Sequence, residues 1–263
     1  MSLSVNLIAR DEAGRLERCL DSVGWADEIV LVVDDRTSDV TAEIARRRGA
    51  RVHLRKFDDY AATRQFAVDC STGDWILWLD CDEVVPEPLA AEIRAAIARP
   101  APDAWRTKRM DYMFGRWIRH GGWFPQYHLR LVRRARARWV SPVHERLDFD
   151  GPIGTFDTPI QHFSHERVEH WIAKMTRYTS LEAAELHRTG RRTSPVRILF
   201  EPPLYFGYKY VWQQGWRDGA HGLVLASLLA CYRLMRHLKL WDLQQSERGP
   251  VEPATWTPPT SRS

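Results

Sequence analysis

The sequence predicts an α/β fold: a mostly parallel sheet flanked by helices, followed by a helical, aromatic-rich C-terminal extension. Three observations lead there. Short apolar runs alternate with helical-period segments over residues 1–100, as right-handed βαβ units require. The apolar runs are nearly continuous, which suits strands buried on both faces. Beyond residue 165 the rhythm becomes helical, and 195–243 is first aromatic and then apolar.

Taken in order, Ser4–Ala9 is a short apolar run and reads as a strand. Arg15–Val23 places Leu16, Cys19, Leu20 and Val23 at helical spacing. Glu28–Val33 is β-branched and apolar after its first residue, a second strand. Val40–Arg48 is a helix, with Thr41 and Glu43 near its start. Arg51–Leu54 is a third strand, Tyr60–Val68 a helix, and Trp75–Leu79 a fourth strand. Pro88–Arg99 is a helix with proline in its first turn. Residues 101–165 lose this alternation. They hold a Gly/Trp/Arg-rich stretch at Phe114–Pro125 and a strand at His128–Val132, with loop and short strand over Val140–Leu147 and Gly151–Thr158. The expected domains are an α/β domain at 1–165, a helical extension at 166–245, and a Pro/Thr/Ser-rich disordered tail at 246–263.

Hydrophobic residues make up 44% and charged residues 27% of 263, so a sizeable core can form. A net charge of +4 fits an anionic partner such as a nucleotide, a nucleic acid or a phospholipid surface, and equally a solvated Arg-rich exterior. The four cysteines show no CxxC or metal spacing and read as reduced cytosolic thiols. The first ten residues lack a signal-peptide core, and no run reaches the roughly 18 apolar residues of a membrane span. A cytoplasmic location is expected, with peripheral contact at the inner membrane surface.

Ligands of such sheets bind at the carboxyl ends of the strands. Two of those ends are acidic: Asp34-Asp35 and Asp80-Cys81-Asp82. A DxD pattern alone is weak, since on the order of one match arises by chance, and Asp148-Phe149-Asp150 is a second. Position separates them, because Asp80 and Asp82 follow a buried apolar strand. Alternate residues there point the same way, so both carboxylates can face one ligand. Such oxygens suit Mg2+ or Mn2+ on a diphosphate, although the same residues would also serve a turn that caps the next helix. At the other strand end, Ser38 or Asp39 can cap a helix while Asp34 or Asp35 accepts from a base or ribose.

Ser4–Glu12, DEIVLVVDDRTSDVT at Asp27–Thr41 and WILWLDCDEV at Trp75–Val84 resemble glycosyltransferase family 2. GRWIRHGGW at Gly115–Trp123, Leu129-Arg130-Leu131, Val143-His144-Glu145, Tyr178–Ala184 and GWRDGAHGLVLA at Gly215–Ala226 extend it toward the branch of lipopolysaccharide core glucosyltransferases. The resemblance implies the Rossmann-like GT-A fold and inverting transfer from a nucleotide sugar, here a UDP-hexose such as UDP-glucose. It implies Asp34 or Asp35 at the base and ribose, Asp80 near ribose and donor sugar, and Asp82 on the divalent metal. Glu145 stands where the acceptor-activating base is expected, with His144 orienting it or filling space; Asp111 and Asp150 are the fallbacks. Arg64 is counted with the donor-contacting residues. Gly122 and Trp123 are candidate acceptor-binding residues, or a tight turn with a core Trp.

The chain departs from the pattern at Asp11, Arg36, Gln65 and Cys81, which puts the donor in doubt but removes no proposed ligand. Arg119, Arg130, Arg133 and Arg134 can meet phosphates or line an exposed strand. The acceptor implied is a cell-envelope glycan or glycolipid, and Tyr205–Leu240 has the aromatics and cationic flanks of an interfacial helix, or is a core or dimer helix. A nucleotidyltransferase would need a glycine-rich loop after the first strand, which Arg10–Gly14 does not supply. A basic, non-catalytic nucleic-acid- or membrane-binding module is the other alternative. Paired acidic strand ends argue against nucleic acid as a partner.

Overall fold

The computed structural model describes residues 1–100, 102–140, 146–165 and 167–246. The chain divides into two compact units, Met1–Glu166 and Arg167–Ser263.

The first unit opens with the expected alternation. Strands β1 (Leu3–Ala9), β2 (Glu28–Asp34), β3 (Arg51–Arg55) and β4 (Trp75–Trp78) are separated by helices α1 (Ala13–Asp21), α2 (Thr41–Arg47) and α3 (Tyr60–Cys70). The four strands pair in parallel in the order β3-β2-β1-β4. The chain thus winds outward from β1 to β3 and returns to the other side of β1. The reversal falls between β1 and β4, the switch point at whose carboxyl ends sheets of this kind bind their ligands.

Alternation sorts the side chains. Leu3, Val5 and Leu7 of β1 join Leu31 and Val33 of β2 in one core, with Leu16 and Leu20 of α1. Val30, Val32, Ile76 and Trp78 face the opposite core, with Ala67 and Val68 of α3. Burial on both faces explains the near-continuous apolar runs. At Gly73 a Cβ would lie 2.6 Å from the backbone nitrogen of Ser4, so the turn into β4 has room only for glycine.

The remainder is a mixed sheet. After β5 (Glu83–Val84) and α4 (Glu87–Ile97) come β6 (Ala104–Met113), β7 (Arg116–Trp117), β8 (Tyr127–Arg133), β9 (Trp139–Val140), β10 (Arg146–Leu147), β11 (Ile153–Thr155) and β12 (Ile160–His165). β8 inserts antiparallel between β4 and β6, and β12 runs parallel to β6 on its far side. β6 and β12 were not anticipated, because AWRTKRMDYM and IQHFSH carry polar residues on both faces.

The second unit is helical: α5 (Val168–Arg188), α6 (Pro195–Gly207) and α7 (Ala220–Ser246), with a π-turn at Tyr208–Trp212 and a 3-10 turn at Gly215–Asp218. Tyr205–Leu240 is therefore not one helix. It breaks at Gln214, which adopts the left-handed conformation, and at Gly219. No helix among the described residues is long and apolar enough to cross a membrane.

Candidate active site

The loops after β1 and β2 are tied together. Asp11 accepts from the Ser38 backbone N–H at 2.8 Å, the Ala13 N–H donates to Asp39 at 3.0 Å, and the Glu12 N–H donates to the Thr41 hydroxyl at 2.9 Å. Asp39 also accepts from the Thr41 N–H at 2.9 Å, so it is the residue that closes the turn into α2. Asp34, at the end of β2, is buried. Arg36 donates to it through its backbone N–H at 3.0 Å, Nε at 3.0 Å and Nη2 at 2.8 Å, and Arg10 lies 3.7 Å away. The Arg36 hydrogen bonds, outweighing the cost of burial, hold the Asp34 carboxyl down to about 2. Asp35 is exposed.

At the end of β4, Asp80 is held by two arginines. Arg64 of α3 donates to Oδ1 at 3.1 Å, and Arg130 of β8 donates to Oδ2 at 3.3 Å. Burial opposes ionisation of Asp80, but the Arg130 and Arg64 guanidinium groups outweigh it and hold the carboxyl far below the usual range. Arg64 is fixed in turn against the faces of Trp78 and Trp139, at 5.5 and 5.0 Å from the ring centroids. Arg130 also pairs with the fully buried Glu83.

Asp82 faces two other cations. Its Oδ2 is 3.6 Å from Arg15 Nη1 and 3.4 Å from His162 Nε2. His162 reaches Asp111 on β6 through Nδ1 at 2.6 Å. Burial opposes protonation of His162, but its hydrogen bonds to Asp111 and Asp82 push it up to about 9. Asp111 is fully buried, and Arg109 lies 3.0 Å from its Oδ1. Asp82, His162 and Asp80 are the groups here able to ligate a metal. Among the described residues no set of three metal-binding side chains converges. The donor set is one or two carboxylates beside an imidazole, which suits an ion that arrives with further oxygen ligands from a diphosphate.

His162 is the residue that the sequence did not disclose. Its signal is faint: a histidine in a short strand of mixed polarity. The structure separates Asp148 and Asp150 from this cluster. Both are exposed in a loop, where the Asp148 N–H donates to the Arg138 carbonyl at 2.7 Å and the Asp150 carbonyl accepts from Arg136 at 2.9 Å. Arg133 pairs with Asp103 and lies over Trp75, and Arg134 donates to the Gly73 carbonyl at 2.8 Å, whereas Arg130 reaches Asp80. Gln65 is engaged structurally, accepting from the Trp139 N–H and donating to Asp69, each at 3.0 Å.

Gly121 and Gly122 take positive φ values of 68° and 78°, and Trp123 is half-buried just after them. The loop that carries them is anchored to β6 at both ends. The Ile118 N–H donates to the Asp111 carbonyl, and the Arg109 N–H donates to the Gln126 carbonyl, each at 3.0 Å. His144 and Glu145 lie outside the described residues.

An α/β sheet with clustered carboxylates and arginines at its switch point is the architecture of a nucleotide-binding protein. The model of glycosyl transferase family 2 matches residues 4–136. The chain belongs to glycosyltransferase family 2, and its sheet is the α/β sheet of the GT-A fold. It is 27% identical over 258 residues to the lipopolysaccharide core biosynthesis glycosyltransferase LpsC of Rhizobium meliloti (strain 1021), covering 92% of this chain and 93% of that one. It is also 27% identical to an uncharacterized glycosyltransferase of Rickettsia bellii (strain RML369-C), over 92% and 86% of the two chains. Among solved structures, S. aureus TarS in complex with UDP-GlcNAc aligns with a TM-score of 0.46 at 13% identity, over 94% and 92% of the chains. Glucosyl-3-phosphoglycerate synthase from Mycobacterium tuberculosis, in complex with Mn2+, UDP and glucosyl-3-phosphoglycerate, aligns at 0.47 and 18%, over 73% and 81%. Both structural likenesses are distant.

Proposed function

We propose that this chain is an inverting glycosyltransferase that moves a hexose, glucose first among the candidates, from a UDP-sugar to a cell-envelope glycan such as lipopolysaccharide core. The observation that carries the reading is the end of β4. Asp80 and Asp82 stand there among Arg15, Arg64, Arg130 and His162, at the switch point between β1 and β4. The cations that hold these carboxylates are also the groups that would meet a diphosphate, to which guanidinium groups bind in a bidentate manner. The acceptor class is supported by the name and the near full-length match of LpsC.

Asp82 would hold Mg2+ or Mn2+, with Asp80 as the second carboxylate and the diphosphate oxygens as the further ligands. The ion supplies charge neutralisation on the departing diphosphate. Asp111 would orient His162. Asp35 would meet the nucleotide, joined by Asp34 once Arg36 yields. Trp123, with Gly122, would offer a flat face to the acceptor, where His144 would orient the base. Glu145 would take the acceptor proton. The enzyme would work in the cytoplasm, peripherally at the inner membrane face, where such an acceptor is held.

UDP with Mn2+ at about 100 times its Kd should raise the melting temperature of the wild-type protein by roughly 5–10 °C. Asp82→Ala should lose the Mn2+-dependent part of that shift. A screen of UDP-, GDP- and dTDP-sugars then identifies the donor. The reading is wrong if UDP and Mn2+ leave the melting temperature unmoved and no UDP-sugar is turned over.

A further inference from the structure

The C-terminal unit carries a surface that the donor chemistry does not use. Along α6 and the π-turn that continues it, Val196, Leu199, Phe200, Leu204, Val211 and Trp212 recur at helical spacing and fall along one face. All six are exposed, Leu204 by 70% and Trp212 by 80%. Single exposed apolar side chains are ordinary on a protein surface, whereas a stripe of six in register is not. The edge of the stripe is tied to α7. Pro202 is buried, and Glu201 accepts from Arg236 at 2.8 Å and from His237 at 2.7 Å on α7.

The charge beside the stripe has one sign. Between residues 191 and 217 the sequence holds Arg191, Arg192, Arg197, Lys209 and Arg217 against a single carboxylate, Glu201, which is the one turned toward α7. Tyr208 and Trp216 add amphipathic rings at the C-terminal end of the stripe, exposed by 44% and 56%. We propose that this face lies in the interfacial plane of an anionic lipid bilayer, with the apolar stripe in the acyl boundary and the arginines and lysine at the headgroups. Val196, Phe200 and Leu204 of the stripe, with Tyr205 and Tyr208, line a shallow apolar cleft of about 400 Å³ flanked by Arg197, so the cationic and apolar parts of the face adjoin as a lipid headgroup and its acyl chains do. A two-fold contact with a second copy would set the same cations against each other, which like-charge repulsion opposes.

The stripe also relocates the interfacial segment, which the sequence placed at Tyr205–Leu240. In α7 the apolar residues are divided, with Leu225, Ala226 and Leu240 buried within the unit, while the exposed stripe begins at Val196. The proposal builds on the peripheral placement above but not on the donor chemistry.

The test is co-sedimentation of the full-length chain with phosphatidylcholine vesicles, with and without a minority of phosphatidylglycerol. Wild-type protein should pellet with the anionic vesicles, less so as salt rises, and its Trp emission should shift to the blue. Leu204→Glu and Trp212→Glu should each lower the partition by about tenfold or more. Both positions are on the surface, so both variants should keep the circular dichroism spectrum and the UDP–Mn2+ thermal shift of the wild type. Loss of that shift in the wild type alone would count against the donor reading and not against this one. Wild-type protein that stays in the supernatant with anionic vesicles, or pellets equally in both variants, overturns the proposal. So does a lipid-free dimer, seen by light scattering, that either variant converts to monomer, because a second copy would then cover the face.

Discussion

Asp82 and Asp34 are both carboxylates at strand ends, but their surroundings set them different tasks. Asp82 is approached by Arg15 and His162 at 3.6 and 3.4 Å, distances loose enough for another ligand to enter. Asp82→Asn keeps the size and removes the charge, so calorimetric titration should show UDP binding that no longer strengthens when Mn2+ is added, with the apo melting temperature close to wild type. Asp34 is instead saturated by Arg36. Its folded-state value of about 2 lies below the ordinary 3.8, so the ionised form is the one that the fold stabilises. That contribution is fully present above pH 3.8 and is lost as pH falls through about 2. Urea unfolding of wild type and Asp34→Asn should therefore differ near neutrality and converge in that acid window. A difference that is constant across it would mean that Asp34 acts by packing alone. Arg36 was legible as a departure from the family pattern, but its effect was not, because sequence spacing does not reveal that a side chain folds back two residues onto its own strand end.

At the scale of elements, what the sequence disclosed tracks how each element is buried. β1, β2 and β4 are covered on both faces, and their composition announces it. β6 and β12 turn the polar residues Asp111, His162 and Ser164 inward, so neither shows the apolar-in, polar-out sequence alternation that marks a half-buried strand. Asp111 and His162 meet across that pair, 51 residues apart in the chain, so no local signal could join them. In the helical unit the motif GWRDGAHG was visible, but its reason was not. A Cβ on Gly222, in the first turn of α7, would lie 1.8 Å from the Gly215 carbonyl oxygen, and one on Gly215 would lie 2.8 Å from the Lys209 carbonyl oxygen. The two glycines let the 3-10 turn pack directly on the start of α7. Gly222→Ala should cost about 1–3 kcal/mol, the usual range for overpacking, measured as a lower denaturation midpoint with an unchanged slope. Gly207→Ala is the control, since a Cβ there meets nothing within 4 Å.

At the scale of the whole molecule, chemistry and attachment fall in different compact units. Residues 1–166 contain the whole ten-stranded sheet, both hydrophobic cores, and Asp34, Arg64, Asp80, Asp82, Arg130 and His162. The exposed stripe at 196–212 belongs to the other unit. A fragment ending at Glu166 is therefore expected to unfold cooperatively, to gain thermal stability from UDP with Mn2+ as the full chain does, and to remain in the supernatant with anionic vesicles. Each result bears on a separate point. A fragment that folds and binds UDP but still pellets with lipid would place the membrane contact in the sheet-bearing unit. A fragment that is soluble yet lacks the UDP response would place part of the donor site beyond residue 166. A fragment with no cooperative transition would make the helices part of what stabilises the sheet, since a core of this size otherwise suffices for a domain of its length. Folding with a UDP response is expected because, among the described residues, the side chains paired with Asp80 and Asp82 come from residues 15–162.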